Sequence, residues 1–235
     1  RNKPLVCHLI DRVYASKHIQ YKKDIIICTT KDKSDDELVK IVKSYGASIF
    51  RGDKDDIIKR FNDAISYFDL DYIIQVDGDD IFCATEYMNE TMDILLEDPE
   101  NLDIVTVRGL PLGISSKSFT RKAMERVFDY YKTTQNDTGF IYYFTKTGLC
   151  NERIIEPLSK LHILDEARLT LDYKVDLEVF TKIINALYDE DRTFDLIEIV
   201  QFLKENPEVV KINSNLEEEY WRRTKEKAHL IYKDS

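Results

Sequence analysis

The chain has 235 residues, 43% of them hydrophobic, which is enough to bury a substantial core as a single domain spanning residues 1–235. Its 44 acidic residues outnumber its 34 basic residues and give a net charge of −10, which argues against a general role in coating nucleic acid. No apolar run is long enough to span a bilayer and no signal peptide is recognisable, so neither nucleic acid nor a membrane is an expected partner.

The four cysteines are widely spaced and form no C-x-x-C pair; they are Cys7, Cys28, Cys83 and Cys150. This spacing is typical of reduced thiols, and not of zinc ligands or a disulfide framework. We therefore expect a cytoplasmic protein.

Apolar periodicity predicts alternating helices and strands through the first half of the chain. The predicted helices are Lys3–Ser16, Ser34–Tyr45 with Ser34 as its cap, Asp55–Phe68, Thr85–Leu96 and Thr120–Tyr131. The predicted strands are Asp24–Thr30, Ala47–Phe50, Tyr72–Val76 and Leu102–Val107. The alternation indicates an α/β fold with a mainly parallel sheet and helices on both faces.

The second half of the chain has a less regular pattern. The aromatic-rich segment Thr138–Thr147 is compatible with a helix or an irregular lid, and Arg168–Asp172 is a predicted strand. Three further helices are predicted at Val175–Tyr188, Phe194–Glu205 and Leu216–Ile231. The last is a candidate docking or dimer arm, so a homodimer is one interpretation of the sequence.

An acidic turn, Asp77-Gly78-Asp79-Asp80, follows the predicted strand that ends at Val76. Gly78 permits a tight turn, which would present the acids together at the carboxyl end of the strand. Ligands of open α/β sheets bind at that end. Clustered carboxylates suit Mg²⁺ or Mn²⁺ held together with a phosphate-bearing substrate. The alternative is a solvated acidic turn.

Five segments of the chain resemble one known family in their order and spacing. They are Lys3-Pro4-Leu5; Phe50-Arg51-Gly52-Asp53 with Asp56 and Arg60; Gly78-Asp79-Asp80; Leu110-Pro111-Leu112-Gly113; and Arg168-Leu169-Thr170-Leu171-Asp172 with Asp176. The chain is similar to the cytidylyltransferases that make CMP-activated acidic sugars, especially the spore coat polysaccharide biosynthesis type, which are related to CMP-3-deoxy-octulosonate and CMP-sialic acid synthetases. The resemblance implies a Rossmann-like, glycosyltransferase-A-like sheet.

The same resemblance implies that CTP and a sugar acid react to give a CMP-sugar and pyrophosphate, for surface polysaccharide or glycan biosynthesis, with Mg²⁺ (or Mn²⁺) as cofactor. It assigns the metal to Asp79 and Asp172, which with Lys3 are the candidate catalytic residues. Asp176, one helical turn beyond Asp172, is a third candidate ligand, although a helix-start aspartate that favours the dipole is the alternative. Lys3 is expected near the phosphates. The family's first strand and basic phosphate loop are absent from this sequence and are expected upstream of Arg1.

The candidate nucleotide-binding residues are Lys3, Arg51, Gly52, Asp56, Arg60 and Gly78. Backbone groups at a strand end can bind a base edge, and a guanidinium can bind phosphate or sugar. For Arg60 and Asp56 the alternative is a surface ion pair at helical spacing.

The candidate acceptor-binding residues are Gly113, Ser115 and Ser116, in a region where close relatives carry acidic residues. An ordinary exposed turn is the alternative there. Two other functions also fit the sequence. One is a metal-dependent glycosyltransferase, because Asp77-Gly78-Asp79 matches the D-x-D pattern, and the other is a non-catalytic nucleotide-binding relative.

Overall fold

The computed structural model describes residues 3–132 and 139–227 of the chain. Its helices are α1 (Leu5–Tyr14), α2 (Asp36–Ser44), α3 (Ile57–Phe68), α4 (Thr85–Glu97), α5 (Arg121–Tyr130), α6 (Tyr142–Thr145), α7 (Asp176–Leu187), α8 (Leu196–Glu205), α9 (Pro207–Val210) and α10 (Glu217–Lys227). Its strands are β1 (Ile26–Thr30), β2 (Ser48–Gly52), β3 (Tyr72–Gln75), β4 (Ile104–Val107), β5 (Lys117–Thr120) and β6 (Glu152–Ile155). Among the described residues, no helix has the length and apolarity needed to cross a bilayer.

The strands form two sheets. Strands β1 and β2 pair in parallel, from Ile26 opposite Ser48 to Thr30 opposite Gly52. The second sheet has the order β3-β5-β4-β6, in which β4 and β6 are parallel and β5 is antiparallel to both of its neighbours. The α/β class is therefore confirmed, but the second sheet is mixed and not mainly parallel. Strand β5 was not predicted because its sequence, Lys-Ser-Phe-Thr, lacks an apolar run.

Most predicted helices agree with the structure to within about a turn, and the differences have local causes. Asp32, not Ser34, caps the turn before α2, since its side chain accepts the backbone N–H of Ser34. Within residues 3–132 and 139–227, the predicted strand Arg168–Asp172 makes a single bridge, from Arg168 to Leu112, and joins no sheet. Residue 138 of the predicted aromatic segment and residues 228–231 of the predicted last helix lie outside the described residues.

The largest cluster of buried apolar side chains fixes the segment that follows the acidic turn. Ile81, Phe82, Cys83 and Ala84 are all buried in it. The ring of Phe82 stacks on that of Phe180 in α7, with 4.5 Å between their centroids. Burial of four consecutive apolar residues anchors the turn at one end, and strand β3 anchors it at the other.

A close backbone approach at Gly113 joins two distant parts of the chain. Gly113 has a φ of 91°, and a Cβ added there would lie 2.2 Å from the carbonyl oxygen of Leu169. The backbone N–H of Leu169 donates to the carbonyl of Leu112 over 2.7 Å. Only glycine allows the segment around Leu169 to lie this close.

We therefore expect Gly113→Ala to lower the free energy of unfolding by roughly 3 kcal/mol or more, because strain from the left-handed backbone adds to the clash with Leu169. Gly148→Ala is the matched control, since Gly148 has a φ of 76° but nothing within 4 Å of an added Cβ. It should cost only about 1–2 kcal/mol. Urea unfolding of both variants measures the difference, and equal losses would contradict the proposed close approach.

Candidate active site

The first acid of the turn is neutralised within the protein. Asp77 follows β3, and its carboxylate accepts from the Nζ of Lys117 in β5 over 2.8 Å and from the Nε2 of Gln75 over 2.7 Å. Strand pairing places Lys117 directly opposite Gln75. Burial alone would raise the pKa of Asp77, but the charge of Lys117 and the hydrogen bonds from Lys117 and Gln75 together outweigh it, and the pKa is lowered. Asp77 therefore remains an anion paired with a lysine.

The second acid of the turn meets the late segment Arg168–Asp172. The backbone N–H of Leu171 donates to the carbonyl of Asp79 over 3.1 Å. Asp79 and Asp172 both line one cavity of about 820 Å³. The structure thus brings together the two aspartates that are 93 positions apart in the sequence (172 minus 79).

Negative charge accumulates in this cavity. Burial, followed by the carboxylates of Asp77 and Asp172, raises the pKa of Asp79 to about 6. Burial and the neighbouring carboxylates Asp77 and Asp79 raise the pKa of Asp80 well above its ordinary value. A bound cation would relieve this repulsion, so the site is electrostatically suited to one.

The donor set fits a magnesium ion that shares its ligands with a substrate. Within residues 3–132 and 139–227, no three His, Cys, Asp or Glu side chains are grouped to hold a metal ion by themselves. Mg²⁺ is usually bound by one or two carboxylates, substrate phosphates and water. Asp79 and Asp172 match that requirement.

Asp176 holds the backbone of Asp172 in place but does not itself line the cavity. It is fully buried, and its Oδ2 accepts the backbone N–H groups of Asp172 and Tyr173 over 2.9 and 2.7 Å. Its Oδ1 accepts from the Nδ2 of Asn213 over 2.8 Å. Because both oxygens are engaged and Asp176 does not line the cavity, the structure corrects its assignment as a metal ligand. It is a helix-start aspartate that holds the Asp172 backbone.

Lys3 lies elsewhere. Its Nζ pairs with Asp11 of α1, and it lines a second cavity of about 640 Å³ that contains neither Asp79 nor Asp172. The structure therefore does not bring Lys3 together with the two aspartates, and its contact with the phosphates stays a prediction. The sequence could not show the pairing with Asp11, because spacing along the chain does not indicate which side chain Lys3 contacts.

The structure gives the predicted nucleotide-binding cluster roles within the fold. Arg51 donates to the carbonyls of Thr30 and Asp32 over 2.8 and 2.6 Å and to Asp36 over 2.6 Å. None of Arg51, Gly52, Asp56 and Arg60 lines the cavity, although Ile57, directly after Asp56, does. Their contact with a nucleotide stays a prediction.

Two members of that cluster shape the start of α3. Asp56 caps the helix by accepting the backbone N–H of Lys59 over 2.9 Å, and it also accepts from the Tyr131 hydroxyl over 2.7 Å. A Cβ added to Gly52 would lie 2.7 Å from the Cγ of Arg60, whose guanidinium donates to the Asp53 carbonyl over 2.8 Å.

Two of the three predicted acceptor-binding residues line the cavity, and the third does not. Gly113 and Ser115 line the cavity, whereas Ser116 is fully buried and does not. The assignment of Ser116 to the acceptor site is corrected for that reason, because alternation along the chain turns its side chain inward.

Gly78 lines the cavity too, but its φ is not positive and an added Cβ would meet nothing within 4 Å. The turn therefore does not depend on glycine.

Sequence reasoning did not identify helix α10 as part of the site. Glu217, Tyr220, Trp221 and Thr224 line the cavity, and so does Arg223. The first four recur at spacings of three and four residues, which places them on one helical face. That periodicity was a usable signal, but the charged helix was interpreted as a docking or dimer arm.

Comparison with known proteins supports a shared family. A cytidylyltransferase family model matches residues 1–150 of the chain. An uncharacterized protein of Methanocaldococcus jannaschii is 30% identical over 224 residues, which cover 93% of this chain and 87% of that protein. The spore coat polysaccharide biosynthesis protein SpsF of Bacillus subtilis is 24% identical over 210 residues, covering 85% of this chain and 83% of SpsF.

Solved structures share the fold. A cytidylyltransferase from Leptospira borgpetersenii has a TM-score of 0.77 at 20% identity, covering 89% of this chain and 87% of that one. A CMP:2-keto-3-deoxy-manno-octonic acid synthetase complexed with CTP has a TM-score of 0.58 at 12% identity, covering 78% and 88%. At these identities the likeness confirms the predicted nucleotidyltransferase-type α/β fold.

The charge cluster predicts a pH dependence of stability. The pKa of Asp79 is raised from 3.8 to about 6 in the folded protein, so the folded state holds this proton more tightly than the unfolded state. The contribution is therefore present at low pH and is lost as pH rises through about 6. In EDTA at pH 7.5, Asp79→Asn should raise the Tm by a few degrees, and the gain should shrink toward pH 4.

Thermal unfolding of the wild type and the variant across this pH range measures the effect. Asp165→Asn is the control, because Asp165 is an exposed carboxylate that lines the same cavity. A Tm for Asp79→Asn that stays at or below the wild-type value at pH 7.5 would show that Asp79 is not under electrostatic strain.

Proposed function

Because the chain belongs to the cytidylyltransferase family, we propose that it transfers CMP from CTP to a sugar acid or a related anionic acceptor. The reaction releases pyrophosphate. In atomic terms, a hydroxyl oxygen of the acceptor bonds to the α-phosphorus of CTP and gives up its proton to solvent, while the bond from that phosphorus to the bridging oxygen of the β-phosphate breaks and pyrophosphate leaves. No protein nucleophile is required.

The observation that carries the proposal is the meeting of Asp79 and Asp172 at one cavity, joined by the backbone hydrogen bond from Leu171 to Asp79. These two carboxylates would hold Mg²⁺ or Mn²⁺. When bound, such an ion neutralises the charge that develops on the phosphate oxygens.

Other residues of the site neutralise charge or hold the two aspartates in position. Lys117 neutralises Asp77, while Asp176 fixes the backbone on which Asp172 sits. Gly113 and Ser115, which also line the cavity, would contact the acceptor. SpsF is a spore coat polysaccharide biosynthesis protein and the solved synthetase is named for a sugar acid, so we extend polysaccharide precursors of this kind to this chain as the acceptor class. Reduced cysteines support a cytoplasmic location for it.

The glycosyltransferase alternative gains no support from the geometry. The D-x-D pattern needs the carboxylates of the motif for a metal ion and a nucleotide-sugar, yet the Asp77 carboxylate is engaged by Lys117 and Gln75. The late aspartate Asp172 takes its place beside Asp79. Incubation with UDP-sugars, assayed for free UDP, tests this alternative directly.

We expect Asp172→Asn to reduce pyrophosphate release from CTP by roughly 10²–10³-fold with Mg²⁺ and a panel of sugar acids, because loss of a ligand carboxylate removes stabilisation of the transition state. Arg168 keeps its second partner, Asp176, in this variant, so the fold should survive. A coupled pyrophosphatase assay measures turnover, and circular dichroism checks folding.

Asp165→Asn again serves as the control and should retain wild-type turnover. Near-wild-type turnover by Asp172→Asn would remove Asp172 from the reaction. If the wild type neither releases pyrophosphate nor gains thermal stability from CTP with MgCl₂, the non-catalytic alternative would replace the enzyme.

A further inference from the structure

Helix α10 forms a wall of the cavity that holds the two aspartates. One face of the helix, including Tyr220 and Trp221, lines the cavity, and Arg223 lines it beside them. The guanidinium of Arg168 lies 5.0 Å from the centroid of the Tyr220 ring. This contact joins α10 to the segment that carries Asp172.

The same face of α10 is directed toward the acid cluster. Burial, followed by Asp172 and the three acids of the turn, raises the pKa of Tyr220 to about 12. Arg223 lies close to the same region, since its Nη1 donates to the hydroxyl of Tyr173, the residue after Asp172, over 2.8 Å. A substrate phosphate held near Asp79 and Asp172 would therefore lie close to α10.

The charges of the cavity single out Arg223. Six acidic residues line it (Asp77, Asp79, Asp80, Asp165, Asp172 and Glu217), against three basic ones (Arg108, Lys117 and Arg223). Lys117 is paired with Asp77 over 2.8 Å and Arg108 with Glu156 over 2.6 Å. In the described part of the chain, Arg223 is the basic lining residue whose hydrogen bond goes to a neutral phenol and not to a carboxylate.

We propose that Arg223 of α10 binds a phosphate oxygen of the nucleotide, which makes this helix part of the substrate site. The inference rests on the proposed function. A triphosphate brings several negative charges into a cavity already rich in acids, so a cation beyond the metal ion is needed to bind it. A guanidinium has five donors, of which the Tyr173 bond uses one, and its fork matches phosphate geometry.

The chain contains its own reporter for this contact. Trp221 is its sole tryptophan, lines the cavity next to Arg223, and is 40% exposed. Titration of the full chain with CTP and MgCl₂ should therefore change tryptophan fluorescence. Calorimetry gives the dissociation constant independently.

We expect Arg223→Ala to weaken CTP binding by about tenfold, because a charge-assisted hydrogen bond to phosphate is lost. Binding of cytidine, which has no phosphate, should be unchanged, and Arg223→Lys should recover part of the loss. Arg222→Ala is the matched control, since Arg222 is exposed, does not line the cavity and pairs with Glu226. It should bind CTP as the wild type does.

Tyr173→Phe separates phosphate binding from a role in holding α10 in place, because it removes the Arg223 hydrogen bond but keeps the charge. It should cost CTP affinity far less than Arg223→Ala. Wild-type CTP affinity in Arg223→Ala, an equal loss for cytidine, or an equal loss in Tyr173→Phe would each overturn the assignment. If the wild type itself does not bind CTP, the proposed function fails first, and that outcome is distinguishable from the others.

Discussion

The site depends on one backbone contact, in which the extended segment Arg168–Asp172 lies across the acidic turn. The hydrogen bond from Leu171 to Asp79 and the bond from Leu169 to Leu112 attach this segment at two points. Neither of these two hydrogen bonds involves a side chain, so main-chain geometry sets the course of the segment that leads to Asp172. The absence of a Cβ at Gly113 is the condition that permits it.

A buried charge network of Arg168, Asp172 and Asp176 also holds this segment in place. Arg168 is fully buried, bonds to Asp172 over 2.6 Å and lies 3.4 Å from Asp176. Its Nε and Nη1 have no hydrogen-bond partner among the described residues, so the network does not satisfy the guanidinium completely. A buried cation of this kind contributes little net stability but is costly to leave unpaired. Its effect is to fix one arrangement of Asp172 relative to α7.

The order of the elements was largely predictable from the sequence, because apolar periodicity and capping residues are local signals. Strand β5 and the position of Arg168–Asp172 were not, because each is defined by partners far away in the chain. The site shows the same division. Motif order predicted that Asp79 and Asp172 lie together, and both line one cavity, whereas Lys3, Ser116 and Asp176 do not line it, because their positions depend on which neighbour each side chain meets.

Two aspartates only two positions apart, Asp77 and Asp79, have pKa values shifted in opposite directions. The difference comes from β5, which places Lys117 beside one carboxylate and leaves the other facing the cavity. Environments that separate the pKa values of neighbouring acids separate their roles. Asp77 is thereby an internally balanced charge, while Asp79 carries repulsion that a proton or an incoming cation can relieve. The antiparallel strand that the sequence pattern failed to predict is therefore the element that divides the acidic turn into a structural half and a binding half.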